Sequence, residues 1–286
     1  MNFLKLSDLS LHRIDEIFHI ADELRNNKFR KVLEGKTFIL FFSETSLRTR
    51  VTFEKGIQQL GGNCILFPPD TLNKKEELED VIGYLNNWAD GVIIRHPDFN
   101  KMMKISEHSF IPIINAMSSD NHPCEVLSDI YSIREIRPEF RELTYTFVSP
   151  AGNIVKSWVE IAKVLNLKLN HVCTSGNNVC KDDENYHFST DLETTMNGSD
   201  IVLTDSLPIK YQNDEYLSQY QVNMERLNLT NKNALLNPCP PFFRGQEVSD
   251  DTVHSSYFVG HSFKKNLLYV QQAIIIQCLG LLPKGQ

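Results

Sequence analysis

The chain has 286 residues, of which 41% are hydrophobic, enough for two modest domains or one large α/β domain. Its formal net charge of −7 and the lack of a basic stripe argue against a nucleic-acid-binding surface. The six scattered cysteines form no Cys-x-x-Cys pair, we see no secretory leader, and the apolar runs are far shorter than the roughly 20 residues of a membrane span. We therefore expect a cytoplasmic protein that binds neither nucleic acid nor membrane.

The first elements predicted along the chain are an amphipathic helix over residues 9–21 and a buried, aromatic-rich strand over residues 37–42. A second helix follows this strand, because apolar residues recur at helical spacing from Phe53 to Leu60. Gly61-Gly62 then provides a natural C-terminal stop.

Short apolar runs separated by helix-length segments continue this pattern towards the C-terminus. We interpret as strands residues 64–67, 91–94, 111–114, 145–148, 168–173, 201–204, 234–236 and 257–259. We interpret as helices residues 76–88, 125–136, 154–165 and 214–227. This alternation is typical of parallel sheets covered by helices.

A charged, proline-containing break at residues 137–141 is the predicted boundary between two halves with about four strands each. Segment 263–282 has no strand partner left, so it is predicted to form a helix that crosses the joint or returns to the first half. The predicted fold is two parallel-sheet α/β domains joined by helices. They cover residues 1–140 and 141–262, and a C-terminal helix covers residues 263–286.

The helix after the first strand begins with residues suited to holding a phosphate. The segment Ser46-Leu47-Arg48-Thr49-Arg50 combines hydroxyls and guanidiniums with the unpaired amides of a helix N-terminus. Thr45 or Ser46 can cap this helix. A solvated, capped helix start that happens to carry two arginines is the alternative.

Two further polar clusters follow predicted strands. Arg95-His96-Pro97 follows strand 91–94, and His122-Pro123-Cys124-Glu125 follows strand 111–114. Ligands of open parallel sheets bind beyond the carboxyl ends of the strands, so Arg48, Arg95 and His122 are predicted to share one edge. Alone, Arg95 could pair with a surface carboxylate and His122 could be structural. Their convergence favours a site.

In order and spacing, these three motifs and Asn237-Pro238-Cys239-Pro240 resemble the aspartate/ornithine carbamoyltransferase family over nearly the whole chain. The family's usual versions are Ser-Thr-Arg-Thr-Arg, His-Pro-x-Gln, and His-Cys-Leu-Pro or His-Pro-Leu-Pro. The resemblance implies two parallel α/β domains, a homotrimer or multiple of trimers with the active site at a subunit interface, and no metal or organic cofactor. Carbamoyl phosphate would bind the first domain and an amino-acid acceptor the second.

The resemblance also implies a donor site. Carbamoyl phosphate would be bound by Ser46, Leu47, Arg48, Thr49, Arg95, His122, Glu125 and Lys75. The catalytic residues would be Arg48, Thr49, Arg95 and His122. Fixed donors at the carbamoyl oxygen would stabilise the tetrahedral intermediate. Segment 72–80 has the ornithine-type length of a loop that in this family reaches a neighbouring subunit's site, where Lys74 or Lys75 could contact the phosphate. A bare charge run of this kind is more often a solvated loop.

The implied acceptor-binding residues are Asn153, Asp205, Pro238 and Cys239. Asn153 resembles the ornithine-type pattern and stands where aspartate-type enzymes have an arginine. Asp205 likewise replaces an arginine of the aspartate type, although it could be a simple turn carboxylate at a strand end. A dicarboxylic acceptor would lose its counter-ions at these positions and meet a like charge. We therefore expect a site for an amino group and not for a second carboxylate.

Several positions depart from the family's pattern. Leu47 replaces a Thr but is expected to leave its backbone N–H available to phosphate, and Asn237 replaces a His. Glu125 replaces a Gln, and its carboxylate is expected to accept from the carbamoyl NH₂ but to repel the phosphate, which would reduce donor affinity. The ornithine-type Ser-Met-Gly after Asp205 is missing, and segment 263–267 offers only lysines where the family has a phosphate-binding arginine.

The leading hypothesis is carbamoyl transfer from carbamoyl phosphate to the amine of ornithine or a related diamino acid. One alternative is a non-catalytic homologue that acts as an anion-binding or regulatory module, which Leu47, Glu125 and Asn237 favour. Another is a carbamoyltransferase for aspartate or a different amino acid. A nucleotide-dependent α/β enzyme is disfavoured, because the chain lacks both Gly-x-Gly-x-x-Gly and the phosphate-loop motif ending in Gly-Lys-Ser/Thr.

Overall fold

The computed structural model describes residues 1–29 and 31–281, which cluster into two compact units. The first unit comprises residues 1–132 together with the segment that starts at Lys264, and the second comprises Ile133–Phe263. Each unit is built around one wholly parallel sheet with helices in the connections. This confirms the predicted fold class. No helix among the described residues is long and apolar enough to cross a membrane.

The strands are, in chain order, β1 (Thr37–Phe41), β2 (Asn63–Phe67), β3 (Gly91–Arg95), β4 (Ile113–Met117), β5 (Thr144–Val148), β6 (Lys168–Val172), β7 (Tyr186–Ser189), β8 (Ile201–Thr204) and β9 (Leu235–Pro238). The α-helices are α1 (Leu11–Arg25), α2 (Leu47–Gln59), α3 (Leu78–Leu85), α4 (Phe99–Glu107), α5 (Pro123–Ile136), α6 (Asn153–Leu165), α7 (Leu192–Met196), α8 (Asp214–Tyr220), α9 (Met224–Leu227) and α10 (Asn266–Leu279).

The first sheet has the strand order β2-β1-β3-β4, and the second has the order β7-β6-β5-β8-β9. The central strands β1 and β3 are almost completely buried because they are continuous apolar runs, as expected for parallel strands covered on both faces. The edge strand β2 alternates between exposed and half-buried residues instead. Both sheets therefore align the carboxyl ends of several neighbouring strands at a single edge.

The strand predicted over residues 111–114 begins at Ile113 and extends to Met117. Pro112 has no backbone N–H to give to the sheet, so only its carbonyl takes part, accepting from Val92 N at 2.9 Å. The regular pairing consequently starts one residue later.

In the second unit, β7 was not predicted, because this four-residue edge strand includes polar residues and lacks an apolar run. The predicted strand over residues 257–259 is wrong, since this segment makes only an isolated bridge between Leu236 and Phe258. The second sheet still contains five strands because β7 takes its place at the opposite edge.

The single helix predicted over residues 214–227 is also wrong, because the chain forms α8 and α9 with an extended break between them. Val222 in this break bridges to Val248. The Asn223 side chain then caps the new helix by accepting from Arg226 N at 3.0 Å. Helices α4 and α7 were not predicted.

Helix α10 lies in the first unit, where it packs against α1 and α2. Its polar side chains take part in this packing: Gln272 Nε2 donates to Gly56 O at 2.9 Å, and Gln277 Nε2 donates to Arg13 O at 3.0 Å. Residue 282, at the end of the predicted terminal helix, and residues 283–286 lie outside the described residues.

Candidate active site

The carboxyl ends of β1, β3 and β4 are neighbours in the first sheet, and polar side chains follow each of them. Arg95 is the last residue of β3, and His122 lies just before α5. Arg95 Nη1 donates a hydrogen bond to Thr49 Oγ1 at 3.1 Å, which joins the end of β3 to the first turn of α2. The structure thus brings these strand ends together, as the order of the motifs predicted.

Ser46 occupies the N-cap position of α2, but its side chain makes no capping hydrogen bond. Its hydroxyl oxygen is buried and has no hydrogen-bond partner among the described residues. The first intrahelical bond runs from Arg50 N to Ser46 O at 3.2 Å, so the amides of the first turn have no intrahelical partner. A buried hydroxyl beside such amides is chemically suited to an anion's oxygen atoms.

The two arginines of this segment differ in their surroundings. Arg48 is exposed, and its charge acts on Glu125. The Arg50 guanidinium is bound within its own helix, because its Nε donates to Glu54 Oε1 at 2.5 Å. Arg48 is therefore the guanidinium of this segment that acts on the cluster at the sheet edge.

Leu47 presents an apolar side chain to solvent at the start of α2, where it is 67% exposed. Its backbone N–H donates to Thr45 O at 2.9 Å. The structure therefore contradicts the expectation that this amide remains available to phosphate.

His122 is buried and electrically neutral near pH 7. Burial lowers the pKa of its imidazole to about 4, and the positive charges of Arg95 and Lys264 act in the same direction, against the opposing effect of Glu125. A neutral imidazole has one N–H donor and one acceptor nitrogen, so His122 can donate one hydrogen bond to a ligand without carrying a charge.

Glu125 is buried and ionised. Burial opposes ionisation, but the charge and hydrogen bond of Lys264, together with the charge of Arg48, outweigh it and lower the pKa of the carboxyl group. Lys264 Nζ lies 2.8 Å from Glu125 Oε1 and 2.6 Å from Asp129 Oδ1. The carboxylate that was expected to repel phosphate is thus paired with a lysine, which it shares with Asp129.

The structure does not bring Lys75 to this cluster. Lys74 and Lys75 are both exposed on the segment before α3. Within the part of the chain that the structure describes, neither side chain takes part in a hydrogen bond or an ion pair.

In the second sheet the carboxyl ends of β5, β8 and β9 are neighbours. Asn153 is the first residue of α6, which follows β5, and Asp205 directly follows β8. A Cβ atom built on Gly152 would lie 3.7 Å from Asp205 Oδ2, so this carboxylate lies against the start of α6. The structure therefore brings Asn153 and Asp205 to one edge of the sheet.

The predicted residues Pro238 and Cys239 lie at the same edge. Pro238 ends β9, and Cys239 N donates to Thr204 O at 2.9 Å, which extends the pairing of β9 with β8. The next peptide bond but one, between Pro240 and Pro241, is cis.

Glu247 is an acidic residue of this unit that sequence reasoning missed. It is 2% exposed, its Oε1 accepts from Phe243 N at 2.6 Å, and its Oε2 has no hydrogen-bond partner among the described residues. Burial raises the pKa of its carboxyl group to about 7, and the charge of Asp205 adds to this effect. The edge that carries Asp205 therefore has a second acidic group nearby.

Sequence reasoning also missed the contact of Lys264 with Glu125 and Asp129. The two acids are four residues apart on a predicted helix, which places them on one face, but nothing local indicates which cation lies between them. Within residues 1–29 and 31–281, no group of three or more His, Cys, Asp or Glu side chains is arranged to hold a metal ion.

Two family models match this chain. The model of the aspartate/ornithine carbamoyltransferase carbamoyl-P binding domain matches residues 1–135, and the model of the Asp/Orn binding domain matches residues 141–278. Both models belong to the family that the motifs resemble.

Individual relatives agree with these models. An ornithine carbamoyltransferase of Nitrobacter winogradskyi is 29% identical over 300 residues, covering 98% of this chain and 97% of that protein. One of Rhodopseudomonas palustris is 28% identical, covering 91% and 88%. The crystal structure of ornithine carbamoyltransferase from Burkholderia thailandensis superposes with a TM-score of 0.89 at 27% identity, covering 97% of this chain and 98% of that one.

Proposed function

This chain belongs to the aspartate/ornithine carbamoyltransferase family, and we propose that it transfers the carbamoyl group of carbamoyl phosphate to the amine of ornithine or a related diamino acid. Inorganic phosphate is the second product. The first unit binds carbamoyl phosphate and the second binds the acceptor. The observation that carries the donor half is the cluster of Thr49, Arg95, His122 and Glu125 at one sheet edge.

The phosphate group of the donor is held at the start of α2. Arg48 supplies a charged fork for two phosphate oxygens, and the unpartnered hydroxyl of Ser46 and the first-turn amides that follow Leu47 supply neutral donors. Leu47 contributes no side-chain donor.

The carbamoyl oxygen is polarised by Thr49, Arg95 and His122. Thr49 Oγ1 accepts from Arg95, so its own hydroxyl proton is available to the ligand. The neutral imidazole of His122 donates a ring N–H. The carboxylate of Glu125 accepts from the carbamoyl NH₂ and fixes its orientation.

The reaction follows from these donors. A neutral amine attacks the carbonyl carbon, and the oxygen becomes negatively charged in the tetrahedral intermediate. Fixed donors stabilise this charge, and the loss of one typically reduces the rate by about 10²–10³-fold. Collapse of the intermediate breaks the bond to the phosphate oxygen, and the leaving phosphate takes up the proton that the amine loses. No nucleophilic side chain is required, so neither Cys124 nor Cys239 acts as a covalent catalyst.

A diamino acid is the proposed acceptor because the second unit presents a carboxylate at the edge formed by the carboxyl ends of β5, β8 and β9. Asp205 lies against the start of α6 beside Asn153, and Glu247 adds a second acidic group. The carboxylate of Asp205 attracts an ammonium and repels the side chain of aspartate, and Glu247, which is only partly ionised near pH 7, adds to this effect. Pro238 and Cys239 complete this edge and contact the acceptor.

We further propose that the chain assembles as a homotrimer, or a multiple of trimers, in the cytoplasm. All six cysteines are free thiols, which supports a reducing compartment. The exposed Lys74 and Lys75 support a role for segment 72–80 at a neighbouring subunit, where Lys75 would contact the donor phosphate. Light scattering after size exclusion measures the assembly, and a monomer at micromolar concentration would contradict it.

A non-catalytic anion-binding module is the second candidate. The exposed Leu47 at the start of α2 favours it, as does Asn237 at the position where the resemblance places a histidine. Such a protein would bind carbamoyl phosphate without turning it over.

Phosphate release separates the two functions. We would incubate the purified chain with carbamoyl phosphate and each of ornithine, N-acylated ornithine, putrescine, lysine and aspartate. Acceptor-dependent phosphate release with a diamino acid supports the proposed activity. Release with aspartate alone contradicts the acceptor assignment, and binding without release with any amine supports the second candidate.

A further inference from the structure

The buried ion pairs of Lys264 lie inside the proposed donor site. Glu125 and Asp129 are 6% and 3% exposed, lie four residues apart on α5, and both contact the same lysine. Lys264 belongs to the first unit, although it lies 139 residues after Glu125 in the chain. Its ammonium group therefore joins the start of the C-terminal segment to the donor site.

Two carboxylates on one buried helix face repel each other, and the ammonium of Lys264 lies within reach of both. A lysine ammonium has three N–H donors, and two of them are used here on Glu125 Oε1 and Asp129 Oδ1. The ammonium therefore offsets one of the two negative charges and reduces the repulsion between the two acids.

The contact also fixes the direction of the Glu125 carboxylate. Of its two oxygens, Oε1 accepts from Lys264, and no hydrogen bond to Oε2 occurs among the described residues. Oε2 is therefore available to accept from a ligand N–H. The charge of Arg48 also acts on this carboxyl group, which places it beside a residue proposed to bind the donor.

We propose that Lys264 is a positioning residue for carbamoyl phosphate: by pairing with Glu125 and Asp129 it offsets one of their two negative charges and turns Glu125 Oε2 towards the carbamoyl NH₂ group. This inference rests on the proposed function of the first unit as the donor site. Without the lysine, the Glu125 carboxylate loses its ion-pair partner beside the phosphate dianion. With it, Glu125 and Lys264 together are neutral, as a glutamine at position 125 would be.

The test is isothermal titration of the full chain with carbamoyl phosphate at pH 8. Lys264→Met is expected to raise the dissociation constant by about tenfold or more, because it exposes the donor phosphate to an unpaired carboxylate. The double variant Glu125→Gln with Lys264→Met removes both charges and is expected to bind within about threefold of the original chain. If the lysine served only to maintain the fold, changing Glu125 would not restore the affinity for carbamoyl phosphate.

Asp129 supplies the matched control. Combining Lys264→Met with Asp129→Asn removes the same total charge but leaves Glu125 ionised, so binding is expected to stay weak. If Lys264→Met does not fold, as judged by circular dichroism, Lys264→Gln replaces it throughout, since an amide keeps a donor for the two acids while removing the charge.

The outcomes separate this inference from the proposed function. If the original chain itself does not bind carbamoyl phosphate, the donor site is wrong and the inference is overturned with it. If the original chain binds but removal of the Lys264 charge changes the dissociation constant less than about twofold, only the inference is overturned. A Glu125→Gln double variant that binds as weakly as the single variant overturns it as well.

Discussion

Glu247 is predicted to make the stability of the second unit depend on pH. Burial, reinforced by the charge of Asp205, raises its pKa from 4.5 to about 7. The folded chain therefore holds this proton more tightly than the unfolded chain, and the fold loses stability as the pH rises from about 4.5 to about 7. At about 1.36 kcal/mol per pKa unit, the full loss is roughly 3 kcal/mol at pH 8.

The substitution Glu247→Gln removes the charge and keeps an oxygen that can accept from Phe243 N. We expect the variant to be roughly 2–3 kcal/mol more stable than the original chain at pH 8 and about equally stable at pH 4.5. Urea unfolding followed by the fluorescence of Trp158, which is buried in the same unit, measures both differences.

The exposed Glu184 of the second unit provides the control. Glu184→Gln should change the free energy of unfolding by less than about 0.5 kcal/mol at either pH. A Glu247→Gln variant that is no more stable at pH 8, or whose effect is the same at both pH values, would refute the assignment of a buried carboxyl group that resists ionisation.

Three further predictions concern the proposed site. Arg48→Ala should weaken carbamoyl phosphate binding by about 10²-fold in calorimetry, with an unchanged circular dichroism spectrum. Arg50→Ala is the control: its guanidinium is bound to Glu54, so its loss should change the dissociation constant little. Equal effects of the two substitutions would reject the donor site. His122→Asn should lower kcat by about 10²–10³-fold. Because the pKa of His122 is lowered to about 4, the pH–rate profile of the original chain should show no inflection from this residue between pH 6 and 8. Asp205→Asn should lower kcat/KM for ornithine by about 10²-fold while leaving carbamoyl phosphate binding unchanged in calorimetry, and an unaltered kcat/KM would remove Asp205 from the acceptor site.

The first sheet and its polar edge could be predicted because the sequence carries strong local signals there. Strands such as β1 and β3 are apolar runs, and the polar residues that the sheet then aligns stand at or soon after their carboxyl ends. The parallel pairing of β1 with β3 brings the end of β3 near the start of α2, where Arg95 contacts Thr49. Weak local signals explain the errors in the second unit. Strand β7 was missed because it is short and lacks an apolar run. One long helix was predicted where there are two, because the apolar spacing continues across the break at which Asn223 caps α9.

The chemistry of Glu125 could not be predicted from its own segment. Because Glu125 replaces a glutamine, the sequence indicated a negative charge that would repel the phosphate. In the folded chain this carboxylate is paired with Lys264, which is distant from it in the sequence. Glu247 is a similar case, since its burial depends on the loop that follows β9 and leaves no periodic pattern in the sequence. Electrostatic partners far apart in the chain require the tertiary structure.

The most direct test of the proposed activity follows the carbon atom that is transferred. The purified chain would be incubated with carbonyl-labelled carbamoyl phosphate and either ornithine or aspartate, and the ureido products would be separated and counted. We predict label in the ureido derivative of ornithine, with phosphate released in equal amount. Label in the aspartate derivative alone, or in neither product while carbamoyl phosphate still binds, would contradict carbamoyl transfer to a diamino acid.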